Sequence, residues 1–188
     1  DAGENLKSRS EVRAVVLSGE GRSFCAGLDF SSFQAMGTDE KDNQSEVSDD
    51  HLEGRITHLG QQAAWVWQEL EVPVIGAISG HALGGGFQIA MGPDIRIVHP
   101  ETKMSVLEIR WGLVPDMGAS VLLPPVVGLD VAKEMYFTGK MITGLEAVEL
   151  GVATRVSDDP RGAAMDLARE IAGKNPDAVR RMKTILNG

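Results

Sequence analysis

The stretch Val74-Ile75-Gly76-Ala77-Ile78-Ser79-Gly80-His81-Ala82-Leu83-Gly84-Gly85-Gly86-Phe87-Gln88-Ile89-Ala90-Met91 constrains the chain more than any other. Its first part is an apolar run entered through Pro73, the pattern of a buried strand. The run breaks at Ser79-Gly80, three consecutive glycines follow, and an apolar segment of helical character comes after them. Glycine loses the most backbone freedom on folding, so a triplet is a poor choice inside a regular element. Between a strand and a helix it has two readings. One is a tight turn with no ligand. The other is a close backbone approach to a ligand, with N–H groups at a helix N-terminus that suit an anion or an oxyanion formed during a reaction.

Several familiar glycine motifs do not match. A phosphate-cradling loop needs Gly-Lys-Ser/Thr, and here Phe87-Gln88-Ile89 follow the triplet. The dinucleotide fingerprint needs a glycine where Ile89 stands. Ser79 is one residue off the spacing of a nucleophile elbow.

The chain has 188 residues, enough for one domain with a substantial core. Its 27 acidic and 18 basic residues give a net charge of −9, which argues against nucleic-acid or anionic-membrane partners. No apolar run reaches the length of a membrane span. A single cysteine forbids an internal disulfide and points to a reducing, cytoplasmic setting, or an organelle matrix if a targeting segment is missing. The chain opens on Asp1-Ala2-Gly3 close to its first strand, the mark of a piece whose natural start is missing.

Strands are expected at Val12–Gly19, Val74–Ile78, Asp94–Val98, Lys103–Glu108 and Val152–Val156, from β-branched and apolar content. Helices are expected at Arg55–Leu70, after the glycines, from near Ala119, at Asp130–Phe137 with Asp130 as N-cap, at Ala147–Leu150, at Arg161–Ala172 and at Pro176–Leu186. Thr143-Gly144-Leu145-Glu146 is a capping-box pattern. In the 55–70 helix Trp65 and Trp67 cannot share a face, so one is expected to meet a ligand, a partner or solvent. Residues 39–53 carry Asp39, Glu40, Asp42, Glu46, Asp49, Asp50 and Glu53 against Lys41 alone, the composition of a solvated loop or lid. Alternating strands and helices indicate an α/β layered domain. Cys25 reads as a small buried hydrophobe.

Three segments together carry more information. They are Ser23-Phe24-Cys25-Ala26-Gly27-Leu28-Asp29, Gly80-His81-Ala82-Leu83-Gly84-Gly85-Gly86 and Glu108-Ile109-Arg110-Trp111-Gly112-Leu113-Val114-Pro115-Asp116. In this order the chain resembles the crotonase family, the enoyl-CoA hydratase/isomerase superfamily. The resemblance extends through Thr138-Gly139, Thr143-Gly144-Leu145-Glu146-Ala147 and Leu150-Gly151-Val152-Ala153, nearly the whole chain. It implies an α/β fold with the crotonase ββα-superhelix core, its helices packed on stacked short sheets. Residues 1–188 would be one core domain, without the family's first β-hairpin and last helices. Self-association as a homotrimer or hexamer is implied as well.

The resemblance also implies an acyl-CoA substrate, with no separate cofactor and no metal. By position, the backbone N–H groups of Leu28 and Gly85 would hold the thioester oxygen, and Ala26, Gly27, Leu28, Asp29, Gly84 and Gly85 would line the coenzyme and thioester. Arg22 is a candidate phosphate partner. Removing a proton beside a thioester, or adding water across the conjugated bond, puts negative charge on that oxygen. Each preorganised donor is then worth about 3–4 kcal/mol. Family hydratases carry two glutamates, at the places of Gln88 and Glu108. Gln88 cannot exchange a proton and is left to orient a water or a substrate group. Glu108 is kept, and Asp116 stands where hydratases have glycine. Dienoyl-CoA isomerases of the family have a glutamate and an aspartate at the places of Glu108 and Asp116, and a third acid at that of Gln88. A dehalogenase branch shares the aspartate but has tryptophan in place of Glu108. The expectation is therefore a double-bond shift on an enoyl- or dienoyl-CoA by Glu108 and Asp116. The alternatives are a 2-enoyl-CoA hydratase in which Asp116 replaces the missing glutamate, a catalytically weak acyl-CoA-binding protein suggested by Gln88, and an RNA-binding relative disfavoured by the charge.

Overall fold

The computed structural model describes residues 2–27 and 57–188. A short helix α1 (Ala2–Lys7) precedes strand β1 (Val15–Ser18). After the undescribed stretch come α2 (Leu59–Glu69), β2 (Val74–Ile78), β3 (His81–Leu83) and α3 (Gly85–Ala90). Next are β4 (Ile95–Val98), β5 (Lys103–Ser105) and a 3-10 turn (Glu108–Trp111). The chain continues through α4 (Ala119–Leu122), α5 (Pro124–Val127), α6 (Leu129–Thr138), β6 (Ile142–Thr143) and α7 (Gly144–Glu149). It ends with β7 (Arg155–Val156), α8 (Pro160–Ala172) and α9 (Pro176–Asn187).

Two sheets carry the fold. The first is parallel throughout, in the order β1-β2-β4-β7. The second is β3-β5-β6, with β3 parallel and β6 antiparallel to β5. Every residue of β2 is buried, because it runs between β1 and β4 with both faces covered. Its side chains alternate between two layers. Ile75 and Ala77 pack with Ile97 against Ala164, Leu167 and Ile171 of α8. Ile78 belongs to the main core with Phe87, Met91, Met104, Leu123, Met135 and Ile142, while Val74 packs with Val66, Trp67 and Leu70.

Several boundaries differ from the sequence expectation. The turn Gly80–Gly84 contains a strand, β3, because His81–Leu83 pairs with β5. The strand from Lys103 stops at Ser105, and Glu108 opens a 3-10 turn instead of ending a strand. Asp130 is not the N-cap of α6; Gly128, at φ 87°, occupies that place. The strand near Val152 shortens to Arg155–Val156. The helix begun near Arg55 is described from Leu59, and its N-cap is His58, whose ring accepts the Gln61 N–H. Trp67 is buried and donates to the Ala63 carbonyl, while Trp65 is half-buried. The Thr143–Glu146 capping box forms as the sequence indicates. Asp94 and Arg96 are structural: Asp94 accepts the Val74 N–H at 2.7 Å, and Arg96 donates to the Val152 and Pro93 carbonyls at 2.6 Å each.

Candidate active site

The first two motif segments meet, although far apart in sequence. Phe24 N donates to Ser79 O at 2.9 Å, Cys25 N to His81 O at 2.9 Å and Leu83 N to Cys25 O at 3.1 Å. Cys25 also forms a bridge with Ala82, and its thiol is free and half-buried. The two backbones touch at their glycines. A Cβ on Gly86 would lie 2.1 Å from Cys25 O. A Cβ on Gly27 would lie 2.8 Å from Leu83 O and 3.9 Å from Gly85 N. These close approaches explain the glycines at 27 and 86 without any ligand. Gly84 is different: its φ of 53° and ψ of −123° are open to glycine and poorly tolerated with a side chain. Gly84 N donates to Ser105 O at 3.0 Å, which fixes the glycine turn to β5.

The third segment closes over the same turn. Glu108 follows Ser105 by three residues, and its Oε1 lies 3.7 Å from where a Cβ would stand on Gly84. Gln88, on α3 and 1% exposed, donates from Nε2 to Glu108 Oε1 at 2.7 Å. The Gln88 Oε1 accepts the N–H of Met117 at 2.8 Å and of Ala119 at 3.3 Å. Met117 then lays its Sδ 3.0 Å from where a Cβ would stand on Gly85. Gln88 therefore straps together the glycine helix, the carboxylate and the loop that carries Asp116. Its oxygen is fully used by the protein, so any hold on a water or substrate group falls to its second N–H. Asp116 is exposed, one residue before Met117.

Glu108 is only partly exposed, and its Oε2 is buried with no hydrogen-bond partner among the described residues. The same holds for the Tyr136 hydroxyl of α6. The Tyr136 phenol is pushed above its ordinary pKa, first by burial and second by the neighbouring Glu108 charge. Tyr136 is the chain's single tyrosine, set in an otherwise apolar helix face, and that oddity was its one sequence signal. Met117 gave none, since it contributes a backbone N–H and a sulfur.

Arg22 is exposed, and its carbonyl would lie 2.1 Å from a Cβ on Gly80. Ala26 is exposed and Gly27 half-buried at the end of their segment. Leu28, Asp29 and the acidic residues 39–53 lie outside the described residues. No helix of the described residues is long and apolar enough to cross a membrane.

Comparison with known proteins gives a consistent result. The family described as Enoyl-CoA hydratase/isomerase matches residues 1–188. The short-chain-enoyl-CoA hydratase of Clostridium acetobutylicum is 34% identical over 186 residues, covering 97% of this chain and 66% of that protein. The peroxisomal Delta(3,5)-Delta(2,4)-dienoyl-CoA isomerase of Arabidopsis thaliana is 31% identical, with 97% and 66% covered. The crystal structure of an enoyl-CoA hydratase from Bacillus anthracis superposes with a TM-score of 0.84 at 28% identity, covering all of this chain and 69% of that one. The chain thus spans about two thirds of the length of the relatives it matches.

Proposed function

This chain belongs to the enoyl-CoA hydratase/isomerase family, and on that premise we propose that it shifts the double bonds of an enoyl- or dienoyl-CoA. The observation that carries the reading is the Gln88 strap: a carboxamide, unable to transfer a proton, lies 2.7 Å from Glu108. Among the described residues, Glu108 is then the carboxylate that lies against the glycine turn. Hydration asks for two proton-handling groups on one face of the acyl chain, one to activate water and one to protonate carbon. A double-bond shift can proceed with one base near the thioester and a proton returned further along.

In this reading the Leu28 and Gly85 N–H groups hold the thioester oxygen. Glu108, beside Gly84, takes the proton from the carbon next to the thioester. The electron pair moves onto the oxygen, where the two donors stabilise it. Asp116 delivers a proton to the remote carbon as the electron pair returns and the double bonds settle in their new place. Glu108 then loses its proton and Asp116 regains one through solvent. Ala26, Gly27, Asp29 and Gly84 line the coenzyme, with Arg22 toward its phosphates. Exposed Trp111, Val114, Leu129 and Phe137 support burial against further copies in a homotrimer or hexamer. The free Cys25 suits a reducing cytoplasm.

The test uses the purified protein with a 3,5-dienoyl-CoA and a 2-enoyl-CoA, followed by ultraviolet absorbance. The expected result is growth of conjugated 2,4-dienoyl absorbance and little loss of 2-enoyl absorbance. Brisk loss of 2-enoyl absorbance with no dienoyl turnover would instead make the protein a hydratase. Binding of both thioesters without turnover would make it an acyl-CoA-binding protein.

A further inference from the structure

Among the described residues two buried oxygens lack partners, one on α6 and one on the Glu108 turn that packs against it. The end of α6 is seated firmly on that turn. At Gly139, with φ 56°, a Cβ would come within 2.8 Å of Ile109 Cγ2 and 3.4 Å of Val106 O. Ser105 Oγ donates to Gly139 O at 3.1 Å, closing the same contact. On this joint Glu108 Oε2 and the Tyr136 hydroxyl are both shut away from solvent, and they do not hydrogen-bond to each other. Buried polar atoms without partners are rare and costly, and two on facing elements call for a common cause.

The chemistry of the pair selects the guest. The phenol must donate, and the carboxylate must accept. A molecule that fits between them accepts on one side and donates on the other. An anion cannot donate, and an ammonium group cannot accept. Water does both, and polar groups too far apart to bond directly are commonly bridged by one.

We propose that the Tyr136 hydroxyl and Glu108 Oε2 hold one buried water between them, and that Tyr136 is thereby a positioning residue behind the base. The proposal rests on Glu108 being that base. Gln88 grips Oε1 on the side of the glycine turn, and the bridged water grips Oε2. The carboxylate is thereby held at both ends, which fixes its orientation. The raised pKa of the phenol keeps it a donor at neutral pH. Among the described residues, the other titratable groups on the elements packed at this turn are turned to solvent. Lys133 and Glu134 of α6 are exposed, and Glu134 pairs with Lys140 at 2.7 Å. Arg110 on the turn itself and Asp116 on the following loop are exposed as well.

The test has two arms. Crystal structures of the wild type and of Tyr136→Phe, at a resolution that orders solvent, should show one water within hydrogen-bond distance of both oxygens in the wild type. It should be lost in the variant. No such water in the wild type, or Glu108 Oε2 bonded directly to a protein group, overturns the proposal even if the variant fails to fold. In the kinetic arm, Tyr136→Phe should lower kcat roughly tenfold with KM little changed. A purely structural tyrosine would lower stability and leave kcat of the folded protein in place, and that outcome overturns the positioning role. If the protein does not shift double bonds at all, the proposed function falls while the crystallographic arm still decides the water.

Discussion

Gln88 donates to Glu108 Oε1 across 2.7 Å while its own oxygen accepts the Met117 N–H at 2.8 Å, so one side chain sets both the carboxylate and the loop beyond it. Replacement by glutamate keeps the acceptor for the two loop N–H groups but places a second carboxylate against Glu108. Two carboxylates at that separation cannot both ionise, so they share a proton and one pKa rises. Gln88→Glu should therefore fold, raise any 2-enoyl-CoA hydration, and slow the proposed double-bond shift at neutral pH. Gln88→Leu removes the strap and leaves two N–H groups without their acceptor, at a cost of about 1–3 kcal/mol in urea unfolding. Unchanged kinetics in Gln88→Glu would show that the strap plays no part in catalysis.

Asp116 is exposed and lies one residue from Met117, whose sulfur rests beside Gly85. If Asp116 returns the proton at the remote carbon, Asp116→Asn should cut dienoyl isomerisation by roughly two orders of magnitude or more. Affinity for the CoA thioester should hold, because binding comes mainly from the coenzyme. Glu108→Gln should be at least as damaging. Steady-state kinetics beside calorimetric binding separates the two effects, and full turnover in Asp116→Asn would remove this residue from the mechanism.

The parts of the fold written in local pattern were legible beforehand. The all-apolar run at Val74–Ile78, the Thr143–Glu146 capping box and the two closing helices each depend on residues within a few positions of one another. The family resemblance also put Glu108 and the glycine triplet in one site. What the sequence could not show is set by distant partners. Gln88 meets Glu108 and Met117 across 20 and 29 residues, and no local rule places an amide oxygen under two N–H groups of a loop. Asp130 failed as an N-cap for a local reason: Gly128, whose N–H donates to Pro124 O at 2.9 Å, takes the cap position two residues earlier, so the helix is already under way at Asp130.

The glycine triplet allows a direct contrast. At Gly86 a Cβ would strike the Cys25 carbonyl at 2.1 Å, which is backbone and cannot swing away. At Gly85 it would meet, among the described residues, the Met117 sulfur at 3.0 Å and its Cε at 3.9 Å, the tip of a flexible side chain. Gly86→Ala should thus lose about 2–3 kcal/mol of stability or more. Gly85→Val should keep its fold and lose turnover by about two to three orders of magnitude, the scale for a displaced oxyanion donor. Near-normal turnover in Gly85→Val would reject the oxyanion role.

Lys183 ties the last helix to the core. Its ammonium donates to Trp67 O at 3.0 Å, to Val72 O at 3.1 Å and to Asp94 at 2.8 Å, so all three hydrogens are used. Trp67 O belongs to the last turn of α2, where a cation is favoured. Lys183→Met leaves Asp94 and two carbonyls without this donor, and should cost about 3 kcal/mol in chemical denaturation. The double variant Lys183→Met/Asp94→Asn should recover part of that loss, because the stranded charge is gone. A Lys183→Met protein as stable as wild type would show that the latch contributes nothing net.

Glu146 offers a pH test with a definite sign. Its carboxylate accepts the Thr143 N–H at 2.7 Å and the Thr143 hydroxyl at 2.8 Å, closing the box at the start of α7. The Thr143 backbone bond first, and the hydroxyl bond second, hold its pKa below the ordinary 4.5. In that window the unfolded chain binds more protons than the folded one, so stability falls as the pH drops. The contribution is whole above about 4.5 and fades as pH descends through the lowered folded value. The urea midpoint of wild type minus that of Glu146→Ala should therefore stay level from neutral pH down to about 5 and shrink below that. A difference that persists unchanged well into acid would mean that Glu146 acts by packing alone and that its charge does not support the cap.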